Sequence, residues 1–226
     1  MEIVLVRHGQ PEWIRDGLNV VDPPLTDLGR RQADAMAETL SAEEPFDEVF
    51  CSPLVRARQT AAPLFDALGR TETVAPWLEE IRDPSWHGTP QEKAQAAYDE
   101  LRARPAVDRW EGLVDGESIR DFTSRIHSGA DEFFGERGMI RSEVELPIWQ
   151  IAEPGARIAL IAHAGTNATT IAHLLGLAPT PWEWDRFILH HASISRLAAL
   201  ELADGFTFAL SALSDVEHLD AEHRTR

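Results

Sequence analysis

The chain has a single cysteine, Cys51, among 226 residues. It can form no internal disulfide, which excludes a disulfide-stapled secreted scaffold and suits a reducing compartment. Positive charge is also scarce: 21 Lys and Arg face 38 Asp and Glu, for a formal net charge of −17. A surface that acidic repels phosphodiester backbones and anionic lipid heads, so no nucleic acid and no membrane is expected as a partner. Long apolar runs are missing too. The first, Ile3 to Val6, ends at Arg7, which is not the shape of a signal peptide. No stretch approaches the ~20 apolar residues of a membrane helix, and a cytoplasmic location is the expectation. What is present is ordinary: 43% hydrophobic and 26% charged residues, a globular composition rather than a disordered or fibrous one. This length suits one large domain, or one domain with an insert.

Ile3-Val4-Leu5-Val6 is apolar without alternation, the pattern of a strand buried on both faces. It stops at Arg7-His8-Gly9, and Pro11, Gly17, Pro23 and Pro24 then mark a loop. Thr26 is a good N-cap for a helix with Leu28, Ala33, Met36, Ala37 and Leu40 on its apolar face. Glu48-Val49-Phe50-Cys51 reads as a second strand. Ser52 as N-cap and Pro53 at the first helical position then open a helix to about Leu68, stopped by Gly69. Residues 91–102 and 117–134 also read as helices. Between Gly135 and Gly155 no element is assigned; Ile148-Trp149-Gln150-Ile151 is read as a packed loop in preference to a strand or a contact surface. Arg157 to Ala162 is another apolar strand, followed by a helix from Thr166 to Leu175. Strands at about 195–201 and 206–210 flank Asp204-Gly205, a hairpin signal. This alternation predicts an α/β fold, a three-layer α/β/α sandwich with a mostly parallel sheet, one antiparallel edge strand and a helical or irregular insert. The expected domain spans residues 1–214 with its insert at about 76–155, and residues 215–226 are expected to form a charged, flexible tail.

Two strands run into the same residue type, giving Arg7-His8-Gly9 and His163-Ala164-Gly165. In parallel α/β sheets the site lies beyond the carboxyl ends of the strands, so Arg7 and both histidines are expected in one crevice. Ser52 to Arg56 adds a guanidinium in the first turn of a helix, where an anion is already favoured. The result is a small cationic pocket, matched to phosphate oxygens, in a strongly acidic chain. Other candidates fit less well. His190, His191, His218 and His223 invite a metal reading, but no Cys or carboxylate stands at convincing ligand spacing around them. His173 lies inside a helix as a packing or surface residue. Trp182 and Trp184 could line a substrate rim or serve the core, and Ser193 and Ser195 have no hydrolase pattern around them.

The ordered set of motifs resembles the histidine phosphatase superfamily, in its phosphoglycerate-mutase-like branch. Leu5-Val6-Arg7-His8-Gly9-Gln10 matches the opening signature, and Asp22, Pro24, Leu25, Thr26, Gly29, Gln32 and Ala33 match the loop that follows. Ser52 to Ala61 resembles the second-arginine motif. Leu78-Glu79-Glu80-Ile81 with Trp86 and Gly88 resembles the acid motif, Gly116-Glu117-Ser118 a further turn, and Ile161 to Gly165 the second-histidine motif. The resemblance implies that His8 is the nucleophile, that Arg7, Arg56 and His163 hold the phosphoryl oxygens, and that Glu80 is the general acid, with Glu79 as its competitor. It places Gln10 and Ala164 toward the substrate, and implies no cofactor and no metal. Pro11, Ile14, Leu18, Asn19, Pro84, His87 and Ala164 depart from the family pattern without removing a catalytic group; they bear on substrate identity.

The expected function is therefore hydrolysis of a small phosphorylated substrate, a phosphomonoester, through phosphohistidine, with a homo-oligomer left open. The first alternative is a phosphoglycerate mutase, whose branch carries Glu-Arg-His-Tyr where this chain has Glu80-Ile81-Arg82-Asp83. The second is a phosphate-binding or protein-interaction module without catalysis.

Overall fold

The computed structural model describes every residue except Glu145, which lies in the stretch left unassigned from sequence. In chain order the elements are β1 (Glu2–Arg7), β2 (Ile14–Arg15), β3 (Leu18–Asn19), α1 (Asp27–Ser41), β4 (Glu48–Cys51), α2 (Val55–Ala67), α3 (Gln91–Ala103), α4 (Ile119–Gly135), β5 (Met139–Arg141), β6 (Trp149–Ile151), β7 (Arg157–Ala162), α5 (Ala164–Leu174), α6 (Glu183–Arg186), β8 (Ile194–Leu202) and β9 (Gly205–Asp215).

β1 occupies the middle of the main sheet, whose order is β4-β7-β1-β8-β9-β6-β5. Its unbroken apolar run has a simple cause: helices cover both faces. Ile3 and Leu5 join a core with Phe133 and Phe134 of α4 and Ile171 and Leu174 of α5. Val4 and Val6 join Met36 and Leu40 of α1 and Leu64 of α2 on the other side. All four strand residues are at most 1% exposed, and each such side chain contributes about 1.5–3 kcal/mol.

β4, β7 and β1 are parallel neighbours. β8 then runs against β1, and antiparallel pairing continues through β9, β6 and β5. Only β8 and β6 oppose the common direction, so most strands run one way. The expected sandwich is present, but the single antiparallel edge strand is instead a flank of four strands. One of them is the segment read as a packed loop. Trp149 in β6 pairs with Arg141 and Phe206 and is 1% exposed; three-residue strands leave no alternation to read.

The expected insert is also divided. α4 buries Phe122, Ile126, Ala130, Phe133 and Phe134 and belongs to a sandwich layer, whereas α3 buries no residue and stands outside. Residues 215–226, expected to be flexible, are fastened down. Leu219 is 2% exposed, His218 Nε2 lies 3.0 Å from the Ala192 carbonyl, and the His191 N–H donates to the Thr225 carbonyl at 3.0 Å. Among the described residues, no helix is long and apolar enough to cross a membrane.

Candidate active site

Because β4, β7 and β1 lie side by side in parallel, their carboxyl ends deliver Ser52, His163 and Arg7-His8 to one edge. Backbone bonds from His8 N to the Ala162 carbonyl and from Ser52 N to the Ile161 carbonyl, both 2.9 Å, hold these ends level. The His8 and His163 ring centroids are 5.1 Å apart. The loop after β1 is clamped against α1: Thr26 caps that helix by accepting from Gly29 N, and its own N–H donates to the Gln10 carbonyl at 3.0 Å. A Cβ at Gly9 would lie 2.5 Å from the Gly29 carbonyl oxygen, and one at Gly29 would lie 2.2 Å from that of Gln10. Only two glycines allow this approach.

His8 is 3% exposed. Its Nδ1 lies 2.7 Å from the Gly9 carbonyl, which can only accept, so the ring proton sits on Nδ1. Nε2 keeps its lone pair, and Arg56 Nε–H donates to it at 3.3 Å. Burial, followed by the neighbouring Arg56, His163 and Arg7, holds the imidazole well below its ordinary pKa. A neutral ring whose Nε2 lone pair is held only by the long bond from Arg56 can act as a nucleophile once a phosphoryl group draws Arg56 away.

Cationic and neutral donors surround that atom. Arg7 donates from Nη1 to the Leu189 carbonyl at 2.5 Å and from Nη2 to His191 at 3.1 Å, while its buried Nε has no partner among the described residues. Burial lowers its pKa to about 10, leaving it charged near neutrality. Arg56 is 4% exposed, with Nη1 3.5 Å from Asp22 and the Trp13 ring 4.8 Å from its guanidinium carbon. His163 is fully buried. Its Nε2 is 2.7 Å from Ser52 Oγ, and its Nδ1 has no partner among the described residues. Ser52 Oγ accepts from Leu54 N at 3.3 Å, and its hydroxyl can also donate to His163 Nε2. With Ser52 as the donor in that pair, the His163 proton sits on Nδ1 and is left to donate. Buried donors without protein partners are what a phosphoryl group requires.

Ser52 was read from sequence as the N-cap of α2, with Pro53 at its first position. The helix instead begins at Val55, without a side-chain cap from its N-cap residue Leu54. Asp22 Oδ1 accepts from Val55 N at 2.8 Å, which releases Ser52 for His163. The helix after β7 begins at Ala164, two residues earlier than expected, with His163 as its N-cap residue.

Two neighbouring carboxylates competed as the acid, and they point apart. Glu79 pairs with Arg82 at 2.6 Å on the outside. Glu80 turns inward: Oε2 accepts from Gly165 N at 2.8 Å, and Oε1 from Ile81 N at 3.0 Å. Loss of solvation raises the Glu80 pKa, against the lowering effect of those two N–H groups. Its backbone is held by Arg125, which donates to the Glu79 and Glu80 carbonyls and is itself fixed by Glu117 at 2.8 Å. Gly165 and Arg125 therefore place the candidate acid; the sequence shows Gly165 only as the end of the second-histidine motif and gives no sign of Arg125. A Cβ at Gly165 would fall 2.5 Å from Glu80 Oε1 and 2.8 Å from Trp184 Nε1. Gly165→Ala is expected to lower kcat by ~10–100-fold, because an ångström of misplacement costs about that much. The melting temperature should move far less. A single-turnover assay beside a thermal melt checks this, and an unchanged rate would show that Glu80 tolerates the shift.

The remaining candidates fall variously. Gln10 spends its Oε1 on Thr26 Oγ1 at 2.9 Å, so a substrate role would rest on its amide nitrogen. Ala164 can offer its backbone N–H at the start of α5. Trp184 stacks on Phe122 with centroids 5.6 Å apart and, half-buried, packs against Gly165 beside Glu80. Among the described residues, no three His, Cys, Asp or Glu gather as metal ligands. His190 instead meets Ser214, His218 meets the Ala192 carbonyl, and His191 meets Arg7.

A sequence profile of the histidine phosphatase superfamily (branch 1) matches residues 3–207. A Yersinia pestis protein named as a probable phosphoglycerate mutase is 29% identical over 227 residues, covering 97% of this chain and 95% of its own length. A solved mycobacterial glucosyl-3-phosphoglycerate phosphatase is 30% identical with a TM-score of 0.67, covering 94% of this chain and 98% of that one. The alpha-ribazole phosphatase of Shigella flexneri shares the fold, with a TM-score of 0.69 at 22% identity over 95% of this chain and 96% of its own.

Proposed function

Since the chain belongs to the histidine phosphatase superfamily (branch 1), we propose that it is a phosphomonoesterase that works through a phosphohistidine on His8, with no cofactor and no metal. The observation that carries this reading is the fixed His8 tautomer: the Gly9 carbonyl takes the Nδ1 proton and Nε2 is turned to Arg56. In the first step Nε2 attacks phosphorus, the phosphorus–oxygen ester bond breaks, and the departing oxygen takes the Glu80 proton. In the second, the Glu80 carboxylate removes a proton from water as its oxygen attacks phosphorus. The nitrogen–phosphorus bond then breaks, releasing phosphate and neutral His8. Arg7, Arg56 and His163 stabilise the non-bridging oxygens, where charge shifts during transfer.

The relative named as a mutase supports a second reading, and the surroundings of the acid weigh against it. Arg82 is turned outward to Glu79. Asp83, held at 2.8 Å by the Tyr98 hydroxyl, places a carboxylate close enough to influence Arg56. A phosphoglycerate carboxylate would be repelled there.

The test is steady-state hydrolysis of 4-nitrophenyl phosphate, with and without EDTA, beside interconversion of 3- and 2-phosphoglycerate. Hydrolysis unaffected by EDTA, with negligible interconversion, is the expected result. Fast interconversion without hydrolysis would make the protein a mutase, and phosphate binding without either activity would make it a module. A chelation loss restored by one divalent ion would contradict the metal-free mechanism. A panel of sugar phosphates, nucleotides and phosphopeptides then narrows the substrate.

A further inference from the structure

Arg7 is gripped from the segment between α6 and β8. Nη1 donates to the Leu189 carbonyl, and Nη2 lies 3.1 Å from His191 Nε2. A guanidinium only donates, so His191 Nε2 must present a lone pair and its proton must sit on Nδ1. That proton has an acceptor: Thr225 Oγ1 lies 3.0 Å from Nδ1. Thr225 is secured in turn, because its carbonyl accepts from His191 N at 3.0 Å and its Oγ1 accepts from Gln32 Nε2 at 2.9 Å. Gln32 also donates to the His223 carbonyl at 2.6 Å, and its Oε1 accepts from Gln10 N at 2.8 Å.

The residues on either side of His8-Gly9, Arg7 and Gln10, are thus tied into one polar network closed by residues 223–225. Gln32 is fully buried and His191 is 5% exposed, so water is a poor substitute for any lost partner. Burial, helped by Arg7 and His190, lowers the His191 pKa to about 3, in keeping with a neutral acceptor. Its ring centroid lies 5.8 Å from that of His8, and its lone pair is spent on Arg7 rather than on the nucleophile.

We propose that His191 is a positioning residue for phosphoryl transfer: it aims the Arg7 guanidinium, and Thr225 holds it in the tautomer that can do so. The inference rests on the catalytic reading of His8. Arg7 has five N–H donors; with two held by Leu189 and His191, the buried Nε–H and one on each terminal nitrogen remain for phosphoryl oxygens. In the other His191 tautomer an N–H would face an N–H, and the guanidinium would turn away.

Four variants test this: His191→Ala, His191→Gln, Thr225→Val and Thr225→Ser. The readouts are melting temperature, kcat and KM for 4-nitrophenyl phosphate, and calorimetric affinity for orthovanadate. His191→Ala is expected to lower kcat by ~10–100-fold, as for misaligned catalytic groups, to change KM by only a few-fold, and to weaken vanadate binding. His191→Gln, whose amide oxygen can reach the place of Nε2, should recover most of the loss. Thr225→Val keeps the shape, removes the acceptor and should lower kcat by several-fold, whereas Thr225→Ser should stay near the parent. Folded His191→Ala and Thr225→Val variants with parental kcat and vanadate affinity would overturn the proposal. So would equal losses within each pair, which would mean that shape matters and the acceptor does not. Should His191→Ala fail to fold, the Thr225 pair decides alone. If the parent binds vanadate but turns nothing over, the catalytic reading fails, and vanadate affinity still reports whether Arg7 is aimed through His191.

Discussion

His8→Ala is expected to abolish turnover, by at least ~10⁴-fold in kcat, which is the scale seen when a nucleophile is removed from a covalent mechanism. Without Nε2 no phosphoenzyme forms, and water would have to attack directly from a place that nothing prepares. The fold should survive. His8 sits where β1 ends, its side-chain partners are the Gly9 carbonyl and Arg56, and neither is an element of the core. The melting temperature is therefore expected within a few degrees of the parent. Acid-labile label from a phosphorylated substrate, trapped by rapid quench, should be present in the parent and absent from the variant. Undiminished turnover, or label persisting at another residue, would sink the mechanism.

Glu80→Gln should produce a loss that depends on the leaving group. The amide keeps the size and can still accept from Gly165 and Ile81, but it has no proton to give the departing oxygen. For an alkyl phosphate, single-turnover phosphorylation is expected to slow by the ~10²–10⁴-fold typical of general acid catalysis. For 4-nitrophenyl phosphate, whose leaving anion is already stable, the first step should slow much less. Glu79→Gln should be nearly silent on both, since its carboxylate faces Arg82 outside. The pH dependence has a definite sign. The acid form is the active one in the first step, and loss of solvation raises its pKa. The parent's alkyl phosphorylation rate should thus persist above the ordinary carboxylate range and fall as pH rises through the raised value. Glu80→Gln should lack that fall. Equal losses on the two substrates would mean that the acid is another residue.

His8 and its strand were legible because one physical condition wrote them: a strand covered on both faces has no alternation, and its end is where a parallel sheet keeps its site. The same condition exposed His163 after β7. Arg56 could be read because the sequence places it at a helix start. Ser52 was misread for a chemical reason. A hydroxyl before a proline suits a helix cap and suits a partner for a buried imidazole equally well, and only the position of Asp22 decides between them. Glu80 could not be told from Glu79 by residue type, since the difference lies in Gly165 N on one side and Arg82 on the other. From sequence, His191 stands with His190 only as a candidate metal ligand, a role its neighbours in sequence do not support, and no other role is legible there. Its real neighbour comes from β8 pairing antiparallel with β1, where Val6 meets Ile194. β5 and β6 were too short for a periodic signal.

The central place of β1 also bears on how the molecule assembles. Glu2 is aligned with Arg157 on one side and with Ala198 on the other, so the middle of the sheet forms only after two very long loops close. Such closures cost entropy before any contact repays it, and chains built on them reach the native state slowly. α1 and α2, with β4 between them, have close partners in sequence and can form early, but they do not contain His8. His8 waits for β7 and β8, and with them for the ordering of residues from both halves of the chain. The pocket around His8 is therefore expected to be completed late in refolding, once β7 and β8 have paired with β1.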